Sequence, residues 1–331
     1  MKHLSVEQRY EISALLRAHH KKSDIAKLLG VHKSTITREI KRNNYMDLNL
    51  YVARYAQSKA ESRARLRSSN YKKSVAQSVF DKARELIVEH QYSPEQVVGY
   101  CRRMGIRMCS HETLYKWIWR DKRKGGKVYL YLRHRGRKYR SREAVNNSRR
   151  YLPGAVDISQ RPFEVEDRRR FGDFEIDTII GMNMSQHIIT IVDRMTGLLL
   201  MKRLKEPTSK ETARALLELM KPLYKSGHVH TITSDNGRQF AKHRLISRIT
   251  GSSFFFARPY HSWERGTNEN TNGLIRQYIP KKTDFDMYTD QDIFEIQMKI
   301  NNRPRKRLGF LSPIEKLYLT TKIDEKVAFG A

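Results

Sequence analysis

The chain has 331 residues, room for two or three domains with a proper core. Its 65 Lys and Arg outnumber 35 Asp and Glu, and the formal net charge of +30 favours a polyanion as partner, because each neutralised phosphate releases counterions. No long apolar run or basic amphipathic segment points to a membrane, and the polar start MKHLSVEQRYEIS is not a signal peptide, so the composition reads as a cytosolic protein that acts on nucleic acid. A ribosomal or otherwise nonspecific basic protein is the alternative at this level.

Residues 1–50 read as a first DNA-binding domain of three helices. Leu4, Ile12, Leu15 and Leu16 give the first helix an apolar stripe. Ser23 to Leu29 form a short second helix that Gly30 stops, as a residue free to adopt positive φ does. In the third, Ile36 and Ile40 face inward and leave Lys33, Ser34, Thr37 and Arg38 outside. Two helices joined by a tight glycine turn make a helix-turn-helix pattern, with good donors for base edges and phosphate on the outer face. His32 stands where Ser or Thr caps better. An ordinary three-helix bundle fits the same pattern.

Residues 51–92 are rich in Arg, Ala and Ser and read as a helical connector, either following a DNA backbone or simply solvated. Residues 93–120 repeat the earlier theme. Ser93, Pro94 and Gln96 make a capping box, Gly105 ends that helix, and Ser110 caps the next. Leu114, Trp117 and Ile118 form its core stripe, and His111, Glu112 and Lys116 face out, which reads as a second helix-turn-helix or as a packed helical hairpin. Cys101 and Cys109 are too few and wrongly spaced for a structural zinc site and read as reduced thiols in this small core. Residues 121–165 open with the densest basic run, including Arg133, Arg135, Arg137, Lys138 and Arg140, and read as a linker that lies along DNA or as a tether without register.

From 171 the period becomes strand-like. FGDFEIDTII, HIITIVDR and LLLMKRLK are three strands, with Arg194 to Gly197 as a tight turn. An amphipathic helix capped at Thr208 or Ser209 follows, then strands HVHTITSD and SSFFFA, and a polar helix-like stretch around Glu269. Asp177, Asp235 and Glu269 read as carboxylates converging from separate elements, a hard-oxygen set suited to Mg²⁺ or Mn²⁺. Asp173 and Glu175 share a strand face with Asp177, so spacing alone leaves them as rivals. Between Asp235 and Glu269 lie 33 residues. At ~100° per residue, Arg265 and Arg276 return to the face of Glu269 on one helix, so Arg276 is expected near phosphate. Asn236 is expected to shape the strand end beside Asp235, and Trp263 to stack on a splayed base or pack in the core. A last region, 303–331, begins with Arg303, Arg305, Lys306 and Arg307, a candidate phosphate contact, and ends in a helix capped by Ser312.

GDFEIDTIIG, TSDNGRQF, ARPYHSWERGTNEN and NNRPRKR, with Asp, Asp, a 33-residue gap, Glu, and Arg seven further on, resemble the DDE transposases of the bacterial IS-thirty family over nearly the whole chain. The resemblance selects Asp177 over its rivals and implies that Asp177, Asp235 and Glu269 are catalytic and hold the metal, with two ions per site. It implies a multidomain protein: all-α helix-turn-helix regions, then an α/β RNase H-like, integrase-type catalytic domain with a mixed five-stranded sheet over 166–302. Arg265, Arg276, Asn236 and Trp263 are then expected on DNA in the active site. The implied partners are double-stranded DNA, as terminal inverted repeats and target, and further copies of the chain in a dimer or larger assembly. The implied reaction is metal-dependent strand cleavage and transfer, in a bacterial nucleoid. A DNA-binding repressor with an inert catalytic-looking half, and a nuclease acting on RNA–DNA hybrids, are the rival readings.

Overall fold

The computed structural model describes residues 4–45, 50–71, 75–133, 152–182, 186–258 and 261–323. It divides into two compact units, Met1–Val75 and Ala76–Ala331.

The first unit contains α1 (Val6–Arg17), α2 (Lys22–Leu28), α3 (Lys33–Arg42), a short antiparallel pair β1 (Asn44–Tyr45) and β2 (Leu50–Tyr51), and α4 (Ala53–Tyr71). Ser5 and Gln8 close a capping box on α1. Ile12, Ile25 and Ile36, one from each of the first three helices, meet Tyr51 and Ala56 in the core. His32 turns out to be a working cap: its Nδ1 accepts from the Ser34 amide at 3.2 Å, leaving the imidazole in the role that Ser or Thr fills elsewhere. A half-sealed polar staple ties the unit together. Arg9 meets Glu39 at 2.8 Å and donates to Gln57 at 2.7 Å, and Tyr51 donates to the same Glu39 oxygen.

The second unit begins with α5 (Gln77–Val88), α6 (Pro94–Arg103) and α7 (His111–Arg123). The expected caps are present: a Ser93–Gln96 box on α6 and Ser110 on α7. Cys101 is buried in the core of these helices with Ile87, Val97, Leu114 and Ile118, and both thiols are free. Residues 121–133, expected to be linker, are instead the end of α7 and a 3₁₀ turn at Val128–Tyr131. The reason is apolar anchoring, since Val128 and Leu132 are buried in the same core despite the basic residues around them.

A short helix α8 (Glu164–Asp167) leads into the sheet: β3 (Asp173–Ile180), β4 (His187–Asp193), β5 (Leu199–Leu204), β6 (Thr231–Ser234) and β7 (Ser253–Phe256). The strand order is β5-β4-β3-β6-β7. The first three strands are antiparallel neighbours, and β3–β6 and β6–β7 are parallel. This is the mixed five-stranded, RNase H-like sheet that the resemblance implied. Helices α9 (Ser209–Lys225), α10 (His243–Thr250) and α13 (Pro313–Thr321) pack on one face, and α11 (Gly266–Tyr278) and α12 (Asp290–Asn301) on the other. Alternation decides which side chain meets which layer. Phe174 and Ile176 of β3 join the first layer, whereas Ile179 joins the α11–α12 layer. The odd positions Asp173, Glu175 and Asp177 therefore point to the face that α11 crosses.

The helices of 76–133 pack on this α/β core. Gln96 donates to the Pro304 carbonyl, Tyr92 to the Asn302 carbonyl, and Arg103 pairs with Glu315. Gly99 makes the approach possible, because a Cβ there would overlap the Phe310 ring. The basic cluster after α12, expected as a phosphate contact, is bonded to partners within the protein. Arg303 is buried and donates to Gln277 and Tyr278, Arg305 donates to the Ile300 carbonyl, Arg307 to the carbonyls of Arg194 and Met195, and Lys306 pairs with Glu95. Burial among other arginines pushes Arg305 down to about 9. Backbone carbonyls at the ends of elements need donors, and these guanidiniums supply them.

Candidate functional site: a cleft beside helix α11

Three acids line one face of β3, and their surroundings differ. Asp173 is buried, accepts both arms of the Arg170 fork and takes a hydrogen bond from Thr231. Glu175 is fully buried; Arg194 donates to it at 2.6 Å and the Asn268 amide at 2.8 Å. Only Asp177 is half-buried and borders a cleft. Its Oδ1 accepts from the Thr178 amide and its Oδ2 from the Asn272 side chain at 3.1 Å.

Asp235 follows β6, the strand beside β3, and its Oδ1 accepts from the Gly237 amide at 2.9 Å. Arg265 stands between the two aspartates, 3.2 Å from Asp177 Oδ2 and 4.0 Å from Asp235 Oδ2. Burial pushes the Asp177 carboxyl up from its ordinary value; Arg265 opposes that, and the charge of Asp235 adds to it.

Glu269 is exposed in the first turn of α11 and lines a cleft of about 390 Å³ with Asp177, Arg265, Asn272, Arg276 and Lys281. Glu269 and its two arginines thus share one cleft, but not by the helical spacing expected. Arg265 belongs to a 3₁₀ turn, Ser262–Arg265, and is the residue before α11, so it reaches the cleft from outside the helix. Arg276 does sit on α11, and it donates to the carbonyls of Pro280 and Ile180 while bordering the cleft.

The remaining site candidates fall differently. Asn236 is buried and donates to the Ala257 carbonyl, fixing the strand end. The Trp263 side chain, and residues Arg135, Arg137, Lys138 and Arg140, lie outside the described residues. Arg133 is described, and it approaches Gly273 of α11 and donates to Asn270 at 3.4 Å. On α3, Lys33, Thr37 and Arg38 are exposed and Ser34 is half-buried; on α7, His111, Glu112 and Lys116 are exposed.

Sequence reasoning passed over Asn268 and Asn272. They lie four apart on α11, and both meet the Thr190 hydroxyl of β4; Asn268 also holds Glu175, and Asn272 holds Asp177. The signal was the spacing itself: two amides at i and i+4 on the face that carries Leu274 and Ile275 inward.

As donors, three carboxylates suit a hard divalent ion. In geometry, no three His, Cys, Asp or Glu side chains among the described residues are grouped closely enough to hold one. The two aspartates that face each other share a guanidinium instead. Likewise, no helix among the described residues is long and apolar enough to cross a membrane.

Comparison with known proteins bears on both units. Residues 1–43 match a family model described as a helix-turn-helix domain. The chain is 47% identical over 315 residues to the transposase for insertion sequence element IS4351 of Bacteroides fragilis, covering 95% of each. It is 34% identical to the transposase InsI for insertion sequence element IS30A of Escherichia coli K12, covering 95% of this chain and 82% of that one. Among solved structures, the catalytic core domain of BIV integrase is similar over 45% of this chain and 94% of its own, with 21% identity and a TM-score of 0.35.

Proposed function

The chain belongs to the IS-thirty family of insertion-sequence transposases, and on that premise we propose that Asp177, Asp235 and Glu269 are the catalytic acids of a DDE-type active site. It is a DNA transposase, an enzyme that binds, cuts and joins DNA, with a helix-turn-helix at its start. The observation that carries the site reading is the selective exposure on β3: Asp173 and Glu175 are sealed by Arg170 and Arg194, whereas Asp177 borders the cleft that Glu269 also lines.

In this reading the two aspartates and Glu269 would have to draw together to hold Mg²⁺, with Mn²⁺ as substitute and two ions per site. When bound, such ions neutralise charge on the attacking and leaving oxygens of a phosphodiester. The chain's own residues prepare the place. The Thr178 amide and Asn272 fix the Asp177 carboxylate, and the Gly237 amide fixes Asp235, so neither acid has to be oriented during the reaction. Arg276 and Lys281 give the cleft a positive margin on which a DNA phosphate is attracted. The chemistry is two successive phosphodiester exchanges. Water first displaces the 3′-oxygen at the element's end. The freed 3′-hydroxyl then displaces a 3′-oxygen in target DNA, and phosphate count is conserved without a covalent enzyme intermediate.

Lys33, Ser34, Thr37 and Arg38 on α3 read the terminal inverted repeats; His111, Glu112 and Lys116 on α7 form a second reading face. The domains then run as a reader over 1–50, helical connector over 51–92, second reader over 93–120 with its anchored turn to 133, basic segment on to 165, catalytic core over 166–302 and tail over 303–331. Joining two ends to one target requires at least two copies of the chain.

The test is a labelled duplex carrying the ends that flank the gene, incubated with protein and Mg²⁺ or Mn²⁺, with EDTA as control, and run on a denaturing gel. Metal-dependent nicking at one position by wild type, reduced at least about 10³-fold in Glu269→Gln, is the expected result, since metal-ion stabilisation of this kind amounts to several kcal/mol. End binding without a cut in either metal, with paired ends supplied, contradicts it.

A further inference from the structure

We propose that Arg265 is an exchangeable counter-cation: its guanidinium stands between Asp177 and Asp235, and a divalent ion and a DNA phosphate displace it together. This rests on the metal-site reading above.

Two carboxylates facing each other in a half-buried site repel unless a cation lies between them. Arg265 supplies that cation, with Nη1 and Nη2 turned to one Oδ2 each. Its hold is poor. The distances are 3.2 and 4.0 Å, whereas a charge-assisted hydrogen bond closes to about 2.7–2.9 Å. Among the described residues its remaining partner is the Ile176 carbonyl at 3.3 Å, and its Nε is buried with no partner. A guanidinium with an unsatisfied buried donor and long ion pairs loses little on leaving.

The same residue lines the cleft that Arg276 and Lys281 border, so a phosphate drawn there meets Arg265 at its edge. A phosphate offers the fork the bidentate partner that the two aspartates do not. Once Arg265 turns to phosphate, its charge no longer lies between the carboxylates, and they attract the divalent ion more strongly. Ion and DNA therefore bind with positive coupling, and the reciprocal effect follows by linkage. Consequently the metal is held more tightly when DNA is present, which disfavours an active centre in an uncommitted enzyme.

The test measures Mn²⁺ binding to the full chain by electron paramagnetic resonance, with thermal shift as a second readout, and takes the signal lost in Asp177→Asn as the specific site. Without DNA, Arg265→Gln is expected to bind Mn²⁺ about tenfold more tightly than wild type and to gain more thermal stability from it, whereas Arg265→Lys keeps the competing charge and stays near wild type. Adding the end duplex is expected to tighten wild-type Mn²⁺ binding and to leave Arg265→Gln unchanged. Equal or weaker Mn²⁺ binding by Arg265→Gln overturns the proposal. So does a wild-type affinity that DNA does not alter, a result that needs no variant to fold. Mn²⁺ binding that Asp177→Asn leaves intact defeats the metal-site reading itself, and this proposal with it.

Discussion

Two arginines meet acids on the same face of the same strand, two residues apart, and they serve opposite ends. Arg194 closes on Glu175 at 2.6 Å, reaches Glu166 at 2.7 Å, and is sealed with Glu175 from solvent. Arg265 stands off from Asp177 at 3.2 Å, both half-open to the cleft, with one donor unsatisfied among the described residues. A short, dry, fully bonded pair fixes structure, because removing either partner strands a buried charge. A long, wet, underbonded pair can be exchanged. Charge alone does not distinguish a catalytic acid from a structural one; the degree to which its counter-charge is satisfied does.

The comparison can be strained in several places. The largest effect expected is at the sealed pair. Arg194→Leu leaves Glu175 buried without its cation, and about 3–5 kcal/mol of stability is expected to go, read as a fall in denaturant midpoint. A loss below about 1 kcal/mol would erase the contrast with Arg265.

Next is Asp193, at the end of β4 and just before Arg194 in the chain. It accepts from the Gly172 amide and from the Thr196 amide and hydroxyl, yet burial lifts it to about 6 from 3.8. Its native value lies above its unfolded one, so the native state holds the proton more tightly. Its contribution is full below pH 3.8 and is lost as pH rises through about 6. Relative to Asp193→Asn, wild-type stability is expected to fall by about 3 kcal/mol as pH rises through that window, at ~1.4 kcal/mol per unit. A flat difference between the two titration curves would show that the hydrogen bonds outweigh burial. The smallest effect is at Asn272, which holds Asp177 without sealing it. Asn272→Ala is expected to slow nicking about tenfold and to leave end binding intact, as loss of an orienting partner does.

Much of this was legible in the sequence because it depends on local pattern. The alternation of Phe174 and Ile176 against Asp173, Glu175 and Asp177 defined β3 and put three acids on one face. Ser93, Ser110 and Ser312 marked their helix starts. Three rival acids on one face remained equivalent, since sequence spacing carries no information about which arginine arrives from elsewhere. Arg194 comes from the turn after β4, and Arg265 from a 3₁₀ turn that a helical period misplaced onto α11. The arginines after α12 looked like a phosphate cluster for a similar reason. Only the tertiary structure reveals the open carbonyls of Ile300, Arg194 and Met195 that they serve. Charge density showed where cations are, not whether their donors were already spoken for.

The most direct measurement sets Asp177→Asn against Glu175→Gln, with thermal midpoint, end-duplex affinity and nicking rate recorded on the same preparations. The account predicts a crossed result: Asp177→Asn keeps its midpoint and end binding and loses nicking by about 10³-fold or more, whereas Glu175→Gln loses stability and nicks normally per folded molecule. Nicking that survives in Asp177→Asn and disappears in folded Glu175→Gln would place the catalytic acid at the wrong end of β3.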